Sequence, residues 1–221
     1  MEKIFLTTDD SIKISAHLYA IEKPIGWLVL SHMMPATKES YKNLAIKAQN
    51  NGYESVAIDL RGHGESDDGP EGFLDFSDLK HQKSILDLKA AVDYLIKNKK
   101  ATPEKISFIG ASIGANLSLQ FIAENQNFKT AILLSPGLNY RGLKTESLIK
   151  KLRIGQKVLF ISAKDDVRSG GNNNAEENRL LFEAAPSKIN KQIEIYETGG
   201  HGTDILKNQP ELYNLIIEFI K

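Results

Sequence analysis

Short apolar runs alternate with stretches of helical periodicity along most of the chain. Two β-prone runs, residues 3–8 and 12–19, flank three polar residues, a pattern that predicts an antiparallel hairpin. Further buried strands are predicted at residues 27–30, 55–58, 106–109, 130–134, 157–161 and 191–196. Helices are predicted at residues 39–50, 79–97, 115–124, 145–152, 176–184 and 206–220.

The order of these elements indicates the fold class. A hairpin followed by strands that alternate with helices is typical of a mostly parallel, doubly wound α/β sheet with helices on both faces. We expect eight strands and a single domain over residues 1–221. Residues 61–72 are rich in glycine and follow the carboxyl end of a predicted strand. Ligands bind at that edge of open α/β sheets, so we expect the functional site there.

Composition excludes several classes of function. Lys and Arg number 28, as do Asp and Glu, so the net charge is zero and predicts neither nucleic acid nor a membrane as partner. Cysteine is absent, which excludes thiol catalysis, and no histidine pair has the spacing of metal ligands. We therefore expect no metal and no cofactor. The first residues lack the basic and then apolar pattern of a signal peptide, so we expect a cytoplasmic location. Oligomeric state stays open.

The motif Gly110-Ala-Ser112-Ile-Gly114 lies between the strand predicted at residues 106–109 and the helix predicted at residues 115–124. A G-x-S-x-G motif in that context is typical of a nucleophile elbow. Its small residues let strand and helix approach closely, and the helix start supplies backbone N–H groups for an oxyanion. In the alternative interpretation, Ser112 only caps the helix. We predict that Ser112 is a nucleophile.

A serine nucleophile needs a base and a carboxylate that orients it. His201 lies among small residues just after the last predicted strand, and it is the candidate base. Asp165 and Asp166 follow the strand predicted at residues 157–161, at the carboxyl edge of the sheet, and lie between Ser112 and His201 in the sequence. Spacing alone does not choose between the two carboxylates.

Together these motifs resemble the α/β-hydrolase superfamily of serine hydrolases along the whole chain. The resemblance implies an α/β-hydrolase fold. In that superfamily the acid closes a small-x-x-Asp turn after its strand, which implies Asp166 as the acid, with Asp165 in reserve. Residues 59–66, Asp-Leu-Arg-Gly-His-Gly-Glu-Ser, resemble a structural loop of the superfamily, which implies that His63 has no catalytic role.

The superfamily also has an oxyanion loop after its third strand, with the pattern His-Gly-x. Here the corresponding residues are His32, Met33 and Met34, so methionine replaces glycine. The resemblance implies that the backbone N–H groups of Met34 and Ile113 form the oxyanion hole and that His32 organises the loop.

Between the predicted strands at residues 130–134 and 157–161 there is room for one loop and one short helix, and a full lid does not fit. Leu138, Tyr140 and Phe73 are candidates for the substrate pocket, although ordinary packing under surface loops is the alternative. The predicted activity is hydrolysis of small or short-chain carboxylic esters through Ser112, His201 and Asp166. The alternatives are a peptidase or thioesterase with the same triad, or a binding protein without catalysis on a hydrolase fold.

Overall fold

The computed structural model describes residues 1–167 and 170–221. Eight strands form one sheet in the order β1-β2-β4-β3-β5-β6-β9-β10. They are β1 Glu2–Thr7, β2 Lys13–Tyr19, β3 Gly26–Ser31, β4 Tyr53–Ile58, β5 Ile106–Ala111, β6 Thr130–Leu134, β9 Lys157–Ala163 and β10 Asn190–Tyr196. The strands β1 and β2 form the predicted antiparallel hairpin, β2 is antiparallel to β4, and the other pairs are parallel. The predicted fold class is confirmed.

A second, two-stranded hairpin, which the hydrophobic pattern did not predict, consists of β7 Asn139–Tyr140 and β8 Leu143–Lys144. The α-helices are α1 Lys42–Gln49, α2 Asp78–Gln82, α3 Ile85–Lys99, α4 Ile113–Glu124, α5 Thr145–Ile149, α6 Asn174–Ala184, α7 Asp204–Asn208 and α8 Leu212–Ile220. None of the described helices is long and apolar enough to cross a membrane.

Two predicted helices are each divided in two. The helix expected at residues 206–220 is interrupted at Pro210, whose nitrogen has no hydrogen to donate to a helical hydrogen bond. The helix expected at residues 79–97 is divided into α2 and α3 by tighter turns, in which Ser84 N–H donates to the His81 carbonyl group and Asp87 N–H to the Ser84 carbonyl group. Both His81 and Asp87 are buried in this arrangement.

Side chains along the central strands point alternately to the two faces of the sheet, so each face has its own hydrophobic core. In β5, Ile106 and Phe108 pack with α3, α4 and α6, whereas Ile109 and Ala111 pack with α1 and α8 on the opposite face. Because β3, β4, β5, β6, β9 and β10 are parallel, their carboxyl ends meet at one edge of the sheet. The loops that carry the candidate site residues start from that edge.

Candidate active site

Ser112 lies in a sharp turn between β5 and α4. Its backbone has φ 53° and ψ −119°, in the region that L-residues rarely adopt. A Cβ atom at Gly110 would overlap the Gly114 carbonyl group, and one at Gly114 would overlap the Ser31 carbonyl oxygen. Both glycines are therefore required by the close approach of strand, helix and neighbouring loop. This is the geometry expected of a nucleophile elbow.

The loop after β3 packs against the start of α4. Ser31 Oγ donates to the Gly114 carbonyl oxygen at 3.1 Å, which holds loop and helix together. Among the described residues, the backbone N–H groups of Met34 and Ile113 donate to no protein acceptor. Ile113 is the first residue of α4, where the N–H has no partner inside the helix. Met34 and Ser112 line the same cavity, so the Met34 segment borders the elbow.

Methionine in place of the expected glycine at position 33 has a structural consequence. The Met33 side chain lies against the loop that carries His201, where a Cβ atom at Gly202 would come within 2.6 Å of the Met33 sulfur. Gly202 has a φ of 58°, so this position favours glycine for its backbone conformation as well as for space. The loop after β3 and the loop that carries His201 are thus in direct contact.

His32 is completely buried and connects two loops. Its Nδ1 is 2.8 Å from the Met33 carbonyl oxygen, and its Nε2 is 3.0 Å from the Leu60 nitrogen. Because the Leu60 N–H donates to Nε2, the ring is neutral and donates through Nδ1. Burial lowers the pKa of His32 to about 3, with a smaller contribution from His63. The ring therefore joins the loop after β3 to the loop after β4.

The loop at residues 59–66 is built around two buried ionic groups. The Asp59 carboxylate accepts from Lys38 Nζ at 2.6 Å and from the backbone N–H of Lys38 at 2.8 Å. Arg61 makes paired hydrogen bonds with Asp87 and Asp10, all between 2.8 and 3.0 Å. Removing one member of such a buried pair would leave an uncompensated charge, so these pairs restrain the conformation of the loop.

His201 and Asp166 are in direct contact. His201 Nδ1 lies 2.7 Å from Asp166 Oδ2, and the two side chains are 24% and 4% exposed. A carboxylate partner fixes the Nδ1–H tautomer, which leaves the lone pair of the neutral ring on Nε2. This is the arrangement of an acid that orients a general base.

Asp165 contacts the same loop through the backbone instead. Its Oδ1 accepts hydrogen bonds from the N–H groups of Gly199 and Gly200, each at 3.0 Å, and its Oδ2 accepts a second bond from Gly199 at 3.1 Å. The two adjacent carboxylates therefore have different contacts: Asp166 bonds the imidazole of His201, and Asp165 bonds the two residues before it.

Two further residues that were not singled out from the sequence hold the His201 loop. Gly202 N–H donates to Ser135 Oγ at 2.9 Å, and Asn208 Nδ2 donates to the Gly199 carbonyl oxygen at 3.0 Å. Ser135 is fully buried and has a φ of 51°. Its position directly after β6, at the carboxyl edge of the sheet, is the sequence signal that could have identified it.

A cavity of about 320 Å³ opens beside Ser112. Its described lining consists of Met34, Ser112, Asn139, Tyr140, Arg141, Gly170, Asn172 and Glu177. The Tyr140 ring lies edge-on to the His201 ring, with 6.3 Å between centroids, and its hydroxyl accepts from Asn174 Nδ2 at 3.1 Å. Of the three predicted pocket residues, the structure places Tyr140 at this cavity.

The other two predicted pocket residues lie elsewhere. The Phe73 ring is stacked on His63, with 4.1 Å between centroids, and is 8% exposed. Leu138 packs against the core that contains α4, and it lines a separate depression with Asn139 and Lys144. Neither is among the described residues that line the Ser112 cavity, and both apolar side chains pack against other residues.

Similar proteins agree with this architecture. A solved structure of DcsB in complex with its substrate analogue is 16% identical, covers 99% of this chain and 97% of its own, and has a TM-score of 0.82. The esterase Pf2001 of Pyrococcus furiosus is 20% identical, with 99% and 91% coverage and a TM-score of 0.80. At such low identity these likenesses show the fold, which is that of the α/β-hydrolases.

The family of this chain is shown by comparison of its sequence with a family model. Residues 22–164 match the family model described as serine aminopeptidase, S33, so the chain belongs to this hydrolase family. The match contains Ser112 and ends before Asp166 and His201. Polyketide transferase ATR5 of Stachybotrys chlorohalonatus is 27% identical over 140 residues, which are 63% of this chain. The alignment covers 46% of that relative, so the chain matches less than half of its length.

Proposed function

We propose that this protein is a serine hydrolase that cleaves small carboxylic esters through an acyl-enzyme. Membership of a hydrolase family supports hydrolysis as the reaction. The observation that carries the proposal is the 2.7 Å hydrogen bond between His201 and Asp166, on loops at the sheet edge where Ser112 forms its strained turn.

In the proposed mechanism, Ser112 Oγ attacks the ester carbonyl carbon while its proton passes to His201 Nε2. The Asp166 carboxylate stabilises the imidazolium that forms. The backbone N–H groups of Met34 and Ile113 donate to the oxyanion of the tetrahedral intermediate. The carbon–oxygen bond to the alcohol then breaks, and His201 returns its proton to the departing oxygen.

Water completes the cycle by the same steps. His201 removes a proton from water, the resulting hydroxide attacks the acyl carbon, and the acid leaves as Ser112 regains its proton. The groups of Met34, Asp166 and His201 lie on different loops. His32 restrains the loop that carries Met34, and Ser135 and Asp165 restrain the loop that carries His201. Such restraint is what positioned catalysis requires.

The size of the cavity supports short acyl groups. About 320 Å³ is at the small end of ligand pockets, and the described lining includes the polar side chains of Asn139, Arg141, Asn172 and Glu177. A cavity of that size accommodates a short acyl group more readily than a long hydrocarbon chain. We therefore propose esters of short, polar acids as the substrates.

Hydrolysis of a peptide bond is a second candidate, because the family is described as serine aminopeptidase. The same residues would serve, and the leaving amine would take the proton from His201. Matched ester, thioester and amide substrates with one acyl group separate these candidates. We expect the ester to have the highest kcat/KM.

Labelling with a fluorophosphonate tests the nucleophile. We expect the native chain and a Ser147→Ala control to be labelled, because Ser147 is an exposed serine of α5 away from the cavity. The Ser112→Ala variant should not be labelled. Labelling that persists in Ser112→Ala contradicts the assignment, and a native chain that neither reacts nor turns over esters favours the binding-protein alternative.

A further inference from the structure

The cavity beside Ser112 is lined by several polar and charged side chains. Among its described residues, only Met34 contributes an aliphatic side chain. Asn139, Arg141, Asn172 and Glu177 contribute two amides, a cation and a carboxylate. Polar groups placed in a small cavity determine which substrates it selects, because each has to be paired when a ligand displaces water.

Arg141 is held at a defined place on the rim of this cavity. It lies in the turn between β7 and β8, with a φ of 52°, and Gly142 follows with a φ of 81°. Its carbonyl oxygen accepts a hydrogen bond from Gln82 Nε2 at 2.9 Å.

The hairpin that carries Arg141 is itself attached to the core. Asn116, a buried residue of α4, donates to the carbonyl oxygens of Gly137 and Leu143 at 3.0 and 3.1 Å. Thr145 Oγ1 also donates to the Gly137 carbonyl oxygen, at 2.7 Å. The backbone of the Arg141 turn is therefore restrained from both ends.

The charged groups of the cavity differ in how far they are already paired. Both Glu177 oxygens accept hydrogen bonds, Oε1 from Asn172 Nδ2 at 3.2 Å and Oε2 from the Leu138 N–H at 3.3 Å. Among the described residues, the nearest carboxylate oxygen to Arg141 is Asp78 Oδ1, 4.0 Å from Nη1, and the two side chains are 46% and 59% exposed. A pair that long and that exposed contributes little, so the guanidinium donors are available to a ligand.

We propose that Arg141 binds a carboxylate carried by the acyl part of the substrate. The substrates are then half-esters of short dicarboxylic acids, with the ester carbonyl at Ser112 and the free carboxylate at Arg141. A guanidinium presents parallel N–H donors that match the two oxygens of a carboxylate. The inference rests on the proposed function and gives its substrate class.

Kinetics with two isosteric esters tests the proposal. Monomethyl glutarate carries the carboxylate, and the methyl ester of glutaric acid monoamide is its neutral counterpart. Both are assayed by proton release with the native chain, Arg141→Gln and Arg141→Lys. Lys144→Gln is the matched control, because it removes one positive charge from the same hairpin but Lys144 lines a different depression.

We expect the native chain to prefer the charged ester, and Arg141→Gln to lower the charged-to-neutral ratio of kcat/KM by about tenfold, the effect of one charge-assisted contact. Arg141→Lys should restore part of the ratio, and Lys144→Gln should keep it. An equal ratio in the native chain and Arg141→Gln overturns the proposal, as does an equal loss in Lys144→Gln, which would indicate a long-range field.

A binding measurement separates this inference from the proposed function. Calorimetry of the Ser112→Ala variant with glutarate and with glutaric acid monoamide needs no turnover. We expect glutarate to bind more tightly and to lose about tenfold in affinity when Arg141→Gln is added. If the native chain hydrolyses neither ester faster than Ser112→Ala, the proposed function is overturned, and this titration still decides whether Arg141 binds a carboxylate.

Discussion

Asp165 and Asp166 are adjacent carboxylates that contact the His201 loop in different ways, and this difference makes a sharp prediction. Asp166 accepts a hydrogen bond from the imidazole, and Asp165 accepts from the backbone of Gly199 and Gly200. An Asp→Asn change removes the charge and keeps one carbonyl oxygen. The same substitution should therefore have very different effects at the two positions.

The expected magnitudes follow from the contacts. At Asp166, the lost charge stabilises the imidazolium of the transition state, and two unit charges in contact near a protein surface interact by about 4 kcal/mol. We expect Asp166→Asn to lower kcat by about 10³-fold. At Asp165, Oδ1 accepts from both N–H groups and Oδ2 accepts a further bond from Gly199, so an asparagine whose amide oxygen replaces Oδ1 keeps one hydrogen bond to each N–H group. We expect less than about a tenfold loss in Asp165→Asn.

Asp165→Ala removes the acceptor altogether. Gly199 is buried, so its N–H would be left without a partner, at a cost of about 1–3 kcal/mol. We expect kcat to fall by about 10- to 100-fold with KM little changed, since the variant displaces the base and leaves the substrate cavity intact. Rescue by Asp165→Asn distinguishes this positioning role from a role that requires charge.

The assay is steady-state hydrolysis of a short-chain p-nitrophenyl ester, with kcat and KM measured separately across pH. Thermal unfolding of each variant controls for loss of folded protein. If Asp165→Asn loses more activity than Asp166→Asn, then Asp165 is the acid and the reasoning from hydrogen bonds is refuted. Equal losses in the two variants would show that charge near the loop, and not the contact with the ring, determines the rate.

The remaining predictions concern stability and the shape of the site. Gly114→Ala should destabilise the protein by about 3 kcal/mol or more and abolish fluorophosphonate labelling, because the new methyl group meets a backbone carbonyl oxygen; a variant that melts and labels like the native chain contradicts this. Burial lowers the pKa of His32 to about 3 and of His81 to about 4, so the unfolded chain binds more protons below pH 6.5. Urea titrations should therefore give a lower free energy of unfolding at pH 5 than at pH 7, by about 1–2 kcal/mol for each histidine, and equal values would refute the reasoning. Asp87→Ala leaves the buried Arg61 with one of its two carboxylate partners, so the melting temperature should fall as expected for a loss of about 3 kcal/mol, whereas an unchanged value would show that the remaining pair is sufficient.

Much of the fold and part of the site could be predicted because they depend on local patterns. Apolar runs that alternate with helical periodicity determine a doubly wound sheet, and the opening hairpin follows from two strands around a short polar turn. The backbone conformation of Ser112 also depends on the residues next to it in the sequence. A serine between glycines, at the junction of a strand and a helix, can turn sharply only with a positive φ, and the structure has 53° there.

The substrate cavity could not be predicted in the same way. Sequence reasoning selected apolar loop residues, but Leu138 and Phe73 pack against other side chains and leave the cavity to polar residues. The described lining comes from four segments, at Met34, at Ser112, at residues 139–141 and at residues 170–177, which tertiary packing brings together. No local pattern carries that information.

The sequence by itself determined the class of sheet, the elbow with Ser112 and the edge of the sheet where the site lies. Only the tertiary structure decided how Asp165 and Asp166 divide their contacts, because adjacent side chains differ in direction and not in spacing. The direction depends on how the loop after β9 packs against the His201 loop. The tertiary structure likewise decided that Arg141 lines the cavity. The hairpin that carries Arg141 is held by hydrogen bonds from α4, which link positions far apart in the chain.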